Sequence, residues 1–235
     1  MKRSYFLIIL LFGIISCQKK EPKNVWIQSR NKALTSENGF SYFSKNSIMD
    51  FNKLERYHFA IPKDSTKKFL VDYKKKTIII DSKFEFDYKL FEKDSLEIYY
   101  PEQNLTEVFI PLSLEKKLNL EKKEIEGKLI NKKFNSINGD INFEFSNKFH
   151  ANGNSIYYDK VKTNRILKTK YLKNKETTGY WYLGEKEKNF FLVLNFDDNE
   201  EFVYHILKFN ENQININGIN TSGISNKIQE LKTSL

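Results

Sequence analysis

The sequence predicts an all-β protein made of two related antiparallel meander units, each an open sheet or a barrel, with a short linking helix and a short C-terminal helix. Three observations carry this expectation. After residue 40 short apolar runs alternate with charged residues and are broken by turn residues. Aromatic residues make up 15% of the chain, with 20 Phe and 13 Tyr, and these suit a pleated, half-buried surface. The two halves also echo each other. KKKTIIIDSKFEFDYKLFEKDSLEIYY (74–100) matches KEKNFFLVLNFDDNEEFVYHILKFNENQINING (186–218) in its order of apolar strand, acidic turn, aromatic strand and charged turn. FSYFSKNSIMDF likewise echoes INFEFSNKFHANGNSIYY, and together they suggest an old duplication.

In the first half, strands are expected near Trp26 and at Phe40–Phe43, Ile48–Phe51, Phe69–Tyr73, Thr77–Asp81, Phe84–Phe91, Ser95–Tyr100 and Glu107–Pro111. FEFDYKLF has the clearest period of two: Phe84, Phe86, Tyr88 and Leu90 share one face, Glu85, Asp87 and Lys89 the other. KDS (93–95) reads as a tight turn into SLEIYY. Ser113 to Glu124 breaks the rhythm; Leu114 and Leu118 stand four apart after a capping Ser, so the linking helix is expected there.

The second half resumes with strands EIEGKLI, INFEFS, SIYYDKV, GYWYLG, NFFLVLNF, FVYHILKF and QININGI. Asn138-Gly139 and Asn152-Gly153 are hairpin signals, because a type I′ turn needs positive φ at both central residues. Ser225 to Leu235 reads as a helix with Ile228 and Leu231 inward.

The N-terminus carries a different signal. Lys2 and Arg3 form a cationic head, and Tyr5 to Ile15 is apolar almost without a break. That run is shorter than the roughly 20 residues a spanning helix needs, and the pattern is that of a secretory signal, or of a short anchor helix. It ends in Ile14-Ile15-Ser16-Cys17, which resembles the lipobox of bacterial lipoproteins. The resemblance covers the first seventeen residues and implies cleavage after Ser16, a lipid on the Cys17 sulfur and an acylated new amino terminus. It also implies a place in the cell envelope, with the membrane as a partner through that lipid. The polar leader QKKEPKN follows, with Lys19 and Glu21 similar to an outer-face export signal and no Asp after the cysteine. The outer membrane of a Gram-negative bacterium is favoured, with the leaflet open. The expected organisation is a signal peptide at 1–16, a tether at 17–24, one β unit at 25–112, a linker at 113–123 and a second β unit at 124–235.

The first unit resembles the small lipocalin-like domains found among bacterial lipoproteins. The residues that carry this are NVWIQS, FSYFSKNSIMDF, FLVDYKKKTIIIDS and YKLFEKDSLEIYY, within 24–112. The Gly of the lipocalin G-x-W is replaced by Asn24, and a Gly179-Tyr180-Trp181 occurs far downstream. The resemblance implies either a pocket for a small apolar ligand or a filled core.

Charge and composition exclude several function classes. The chain has 39 Lys+Arg against 30 Asp+Glu, a formal net charge of +9, and its charges are interspersed as on solvated strand faces. One cysteine rules out an intrachain disulfide. Nucleophilic hydrolysis needs Ser or Cys beside an oriented His, and no nucleophile-turn motif accompanies His58, His150 or His205. His205 is read as out of phase with Val203. No zinc spacing occurs, so no metal or cofactor is expected. Asp197 to Glu201 reads either as a hairpin loop or as a calcium cluster that lacks the EF-hand spacing. With 9 Gly in the chain, no phosphate-binding loop is present.

Lys160 to Lys175 holds seven basic residues and no acid, which suits a solvated strand or connection, or a contact with anionic lipid headgroups or an acidic partner; nucleic acid is not expected outside the cytoplasm. No catalytic residue is expected. The sequence thus points to a non-enzymatic envelope protein that binds a protein partner or a small apolar ligand. An envelope hydrolase with a hidden site and an immunity or inhibitor lipoprotein are the alternatives.

Overall fold

The computed structural model describes residue 22 and residues 24–33, 47–59, 65–91, 95–136, 142–146, 165–171, 175–196, 201–219 and 229–233. Several expectations fall outside these residues: those on residues 1–21, including Cys17, on the Phe40–Phe43 and SIYYDKV strands, on His150, and on positions 197–200 of the acidic run.

The first unit is a closed ring of eight antiparallel strands. They are β1 (Val25–Ala33), β2 (Ser47–Asp50), β3 (Glu55–His58), β4 (Ser65–Asp72), β5 (Thr77–Ile80), β6 (Phe84–Phe91), β7 (Ser95–Tyr100) and β8 (Leu105–Leu112). Each pairs with the next, and β8 returns to β1 with Val25 opposite Leu112. A bulge at Ser29 shifts the β1–β8 register between Gln28 and Arg30. The period of two in FEFDYKLF is observed: Phe86, Tyr88 and Leu90 join Trp26, Met49, Phe69, Ile78, Ile98 and Phe109 inside the ring. Glu85, Asp87 and Lys89 are exposed, as is Phe84 at the strand start.

The second unit is a second closed ring. Its strands are β9 (Lys133–Ser136), β10 (Asn142–Phe145), β11 (Arg165–Tyr171), β12 (Lys175–Lys186), β13 (Asn189–Phe196), β14 (Glu201–Phe209), β15 (Gln213–Gly218) and β16 (Gln229–Thr233). β9 and β10 pair antiparallel, and the expected Asn138-Gly139 turn between them lies outside the described residues, as does Asn152-Gly153. The basic window contributes β11, held between β10 and β12. The two matched segments take equivalent places: β5–β7 and β13–β15 are each the fifth to seventh strands of their ring.

The interior of the second ring is aromatic. The Phe145 and Trp181 rings lie 5.0 Å apart, Phe134 and Phe145 5.9 Å, and Phe143 and Tyr204 6.1 Å. The helix α1 (Lys122–Leu129) adds Ile125 and Leu129, four apart, to the same core.

Both expected helices are corrected. Residues 113–118 form neither helix nor strand, because tertiary hydrogen bonds claim their backbone: the Leu114 carbonyl accepts from Asn189 Nδ2 at 2.9 Å, and the Leu118 amide donates to the Lys188 carbonyl at 2.9 Å. The helix begins at Lys122 and takes most of EIEGKLI, which alternation had marked as a strand. At the C-terminus, residues 229–233 are strand β16, not helix. Leu231 still faces inward, opposite Ile214, but β16 pairs with β15 and β9 and closes the ring, giving the backbone groups on both neighbouring edges partners. Strands β3 and β9 carry no alternation the sequence reading uses, because their runs are charged or mixed.

The rings pack against each other by their outer faces. Val25, Ile27, Ile48 and Phe59 of the first meet Tyr182, Phe191, Val193, Val203 and Ile219 of the second in one buried cluster. Phe59 lies 4.9 Å from the Phe191 ring, and Tyr57 Oη donates to the Glu185 carbonyl at 2.5 Å. The β12–β13 hairpin turns at Glu187 and Lys188 with φ of 53° and 63°, conformations that favour Asn-Gly. Ion pairs hold this tip: Glu187 with Lys53, and Lys188 with Glu121 at 2.7 Å. Both rings, the helix and their seam lie within residues 25–233.

Gly184 leaves room for Phe59, since a Cβ there would stand 2.0 Å from Phe59 Cδ1. Gly184→Ala is expected to destabilise the protein by about 1–3 kcal/mol through overpacking. In the Phe59→Ala background the same change is expected to cost little more, and urea denaturation of the four proteins measures this non-additivity.

Candidate functional site

A polar cluster lies inside the first ring, built by strand alternation. Gln28 follows Trp26 by two residues, Ser47 precedes Met49 by two, and Arg56 stands opposite Met49. Tyr100 follows Ile98, and Glu107 precedes Phe109. Each polar residue therefore shares the inward phase of an apolar neighbour.

Glu107 is the hub. Its Oε1 accepts from Arg56 Nη2 at 2.7 Å and from Gln28 Nε2 at 3.2 Å. Its Oε2 accepts from Tyr100 Oη at 2.6 Å. Arg56 Nη1 donates to Tyr100 Oη at 2.5 Å, and Nη2 also donates to Ser47 Oγ at 3.1 Å. Ser47 Oγ in turn donates to Gln28 Oε1 at 2.8 Å. The Phe109 ring lies under the guanidinium, 5.7 Å from Cζ. Arg56 and Glu107 are 5% and 4% exposed, so the pair is fully desolvated.

The electrostatics are those of a neutralised pair. Burial by itself lowers the Arg56 pKa, but the Glu107 carboxylate and the Tyr100 phenol outweigh it and hold the guanidinium charged. Burial, with Glu107 adding to it against the opposing Arg56, raises the Tyr100 phenol well above its ordinary range. Both Glu107 oxygens have donors and the cation is matched, which leaves no charge for an incoming ion. Arg56 Nε is buried without a hydrogen-bond partner among the described residues. The arrangement can hold five strands in register, β1, β2, β3, β7 and β8; it presents no activated nucleophile.

Neither described histidine, His58 or His205, is hydrogen-bonded into this hub. His205 sits in the seam, stacked on Phe191 at 4.8 Å, with Nε2 3.1 Å from Asn189 Oδ1. It shares the outer face of β14 with Val203, which corrects the phase read from the sequence, since residues two apart on a strand point the same way. Burial pulls its pKa down to about 4. His58 is also pulled down to about 4, by burial first and then by the Arg56 and Lys67 charges. A base at neutral pH is best matched to a pKa near 7, and neither imidazole is. Among the described residues no three His, Cys, Asp or Glu side chains gather as a metal site. No helix there is long and apolar enough to cross a membrane.

The Arg56–Glu107 cluster was missed from sequence. Its signal was present, since Glu107 interrupts the inward phase of Leu105 and Phe109 in LTEVFIPL, but only the pairing reveals that Arg56 faces it.

Two outcomes follow from this chemistry. Arg56→Met is expected to cost about 3–5 kcal/mol by leaving a buried carboxylate unmatched, while Arg56→Met/Glu107→Leu costs less, as guanidinium denaturation measures. The second concerns acid. Both imidazoles titrate lower in the folded chain than the ordinary 6.5, so the unfolded chain takes up protons first. Their contribution is complete above about pH 6.5 and is lost as pH falls towards 4. Replacing His205 by Gln is expected to flatten that loss in denaturation curves taken across this window.

No protein-family model matches the chain, and no curated protein matches it, so the Arg56–Glu107 cluster is characterised by its chemistry as a buried, matched ion pair that joins strands.

Proposed function

We propose that the chain is a lipid-anchored protein of the bacterial cell envelope that acts by binding rather than catalysis, with a protein partner engaged at its surface. The observation that carries the reading is the order of the N-terminal residues: a basic head, a short apolar run, Ile14-Ile15-Ser16-Cys17, a polar leader, and then a sheet that begins at Val25. A thiol is a good site for lipid transfer because its thiolate is strongly nucleophilic. More than one acyl chain then makes attachment stable. The outer membrane of a Gram-negative cell is the favoured address.

The interiors support a surface role over ligand carriage. Aromatic rings and the α1 side chains occupy the second ring, and the first holds its apolar cluster and the matched Arg56–Glu107 pair. The low pKa of His58 and His205 supports a non-catalytic role.

Mass spectrometry of protein purified from membranes is expected to show a chain beginning at a lipid-modified Cys17. Cys17→Ser is expected to move the folded protein from the membrane to the soluble fraction; a variant that stays membrane-bound overturns the anchor.

A further inference from the structure

The antiparallel register places one set of turns on a common rim of the first ring. Val25 pairs with Asp50 and with Leu112, Asp50 with Glu55, Asp72 with Thr77, and Phe91 with Ser95. The rim from which the N-terminal leader departs therefore also carries the β4–β5 turn, residues 73–76. That turn reads Tyr73-Lys74-Lys75-Lys76, and all four side chains are exposed. Phe91, 44% exposed, ends β6 on the same rim.

The turn is rigidly built to show its lysines. Asp72 Oδ1 accepts the Lys74 amide at 2.9 Å and the Lys75 amide at 3.0 Å, and Lys76 has φ of 59°. The Tyr88 amide donates to the Lys76 carbonyl at 2.9 Å, tying the turn to β6. Three other lysines near this rim are engaged: Lys53 with Glu187, Lys186 with Glu55 at 3.3 Å, and Lys188 with Glu121. Lys74, Lys75 and Lys76 form no ion pair with a described residue. Three adjacent cations flanked by an exposed Tyr and an exposed Phe match an anionic lipid surface, where lysines meet headgroups and aromatic rings sit at the interface.

We propose that this rim, through Lys74, Lys75, Lys76, Tyr73 and Phe91, lies on the anionic phospholipid surface of the membrane. The choice of membrane rests on the anchor reading above. The eight residues from Cys17 to Val25 span at most about 28 Å when extended, so a lipid at Cys17 holds this rim within reach of headgroups. The acyl chains supply attachment, and the rim supplies orientation: it sets the opposite rim of the first ring, with its β5–β6 and β7–β8 turns, facing away from the bilayer. A surface role then has a defined outward end.

The test uses the chain from residue 18 onward, which keeps both closed rings and removes the anchor, so its result does not depend on the fate of Cys17. Co-sedimentation with phosphatidylglycerol–phosphatidylcholine vesicles is expected to exceed that with pure phosphatidylcholine and to weaken as salt rises. Lys74→Ala/Lys75→Ala/Lys76→Ala is expected to lower partitioning about a hundredfold, by the usual contribution of a lysine at an anionic surface. Tyr73→Ser/Phe91→Ser is expected to weaken it further. A control, Lys83→Ala/Lys208→Ala, removes two exposed cations elsewhere and is expected to bind like the parent, with circular dichroism confirming the fold of each protein. Equal binding to both vesicle types, a triple variant that binds like the parent, or a control that loses as much as the triple variant overturns the proposal.

Discussion

A sheet in water must dispose of its two edges, and every other feature of this protein follows from how that is done. Each unit rolls its strands until the last pairs with the first, so that backbone donors and acceptors on both edges find partners. Closure divides each strand into an inward and an outward set of side chains. The inward sets build two separate cores, and the outward sets are left for the seam between the rings and for solvent.

The same ring is filled in two ways. The second ring uses aromatic rings and a helix, which gain from leaving water in proportion to buried area. The first ring places Arg56, Glu107, Tyr100, Gln28 and Ser47 among its apolar residues. A buried ion pair adds little net stability, because desolvation offsets most of the attraction. It does penalise error. A slip of one residue in β3 or β8 turns one charge outward and leaves the other buried and unmatched. Short strands such as β2 and β3, four residues each, have few other contacts to define their register.

The outer faces show a similar division. Around β1–β3 and β8, apolar residues meet the β12–β14 face, and the fit is close enough that only glycine is accommodated at position 184. The tip of the β12–β13 hairpin adopts backbone angles unfavourable to Glu and Lys, yet those side chains make the ion pairs that pin it to the first ring and the linker. Across the first ring, β4–β7 present charged and aromatic residues to solvent, including the cationic turn after β4. One side of the first ring serves assembly and the other is available for interaction.

The sequence by itself determined the β class, the meander order and many strand limits. β6, β7 and β13 begin and end where alternation and turn residues placed them, because local pleating and turn chemistry need no distant partner. It also determined the equivalence of β5–β7 with β13–β15, and it carries one cysteine, Cys17, on which the proposed anchor rests. Only the tertiary structure decided whether the sheets close. Ring closure pairs Val25 with Leu112 and Leu231 with Ser136, contacts across long loops that no local pattern encodes. It also decided the helix limits, since the bond Asn189 donates to the Leu114 carbonyl and the bond the Leu118 amide donates to the Lys188 carbonyl overrode local preference. Finally it brought Arg56 to Glu107, fifty-one positions apart, because the facing of a charge inside a ring depends on register, and register is set only when the ring is complete.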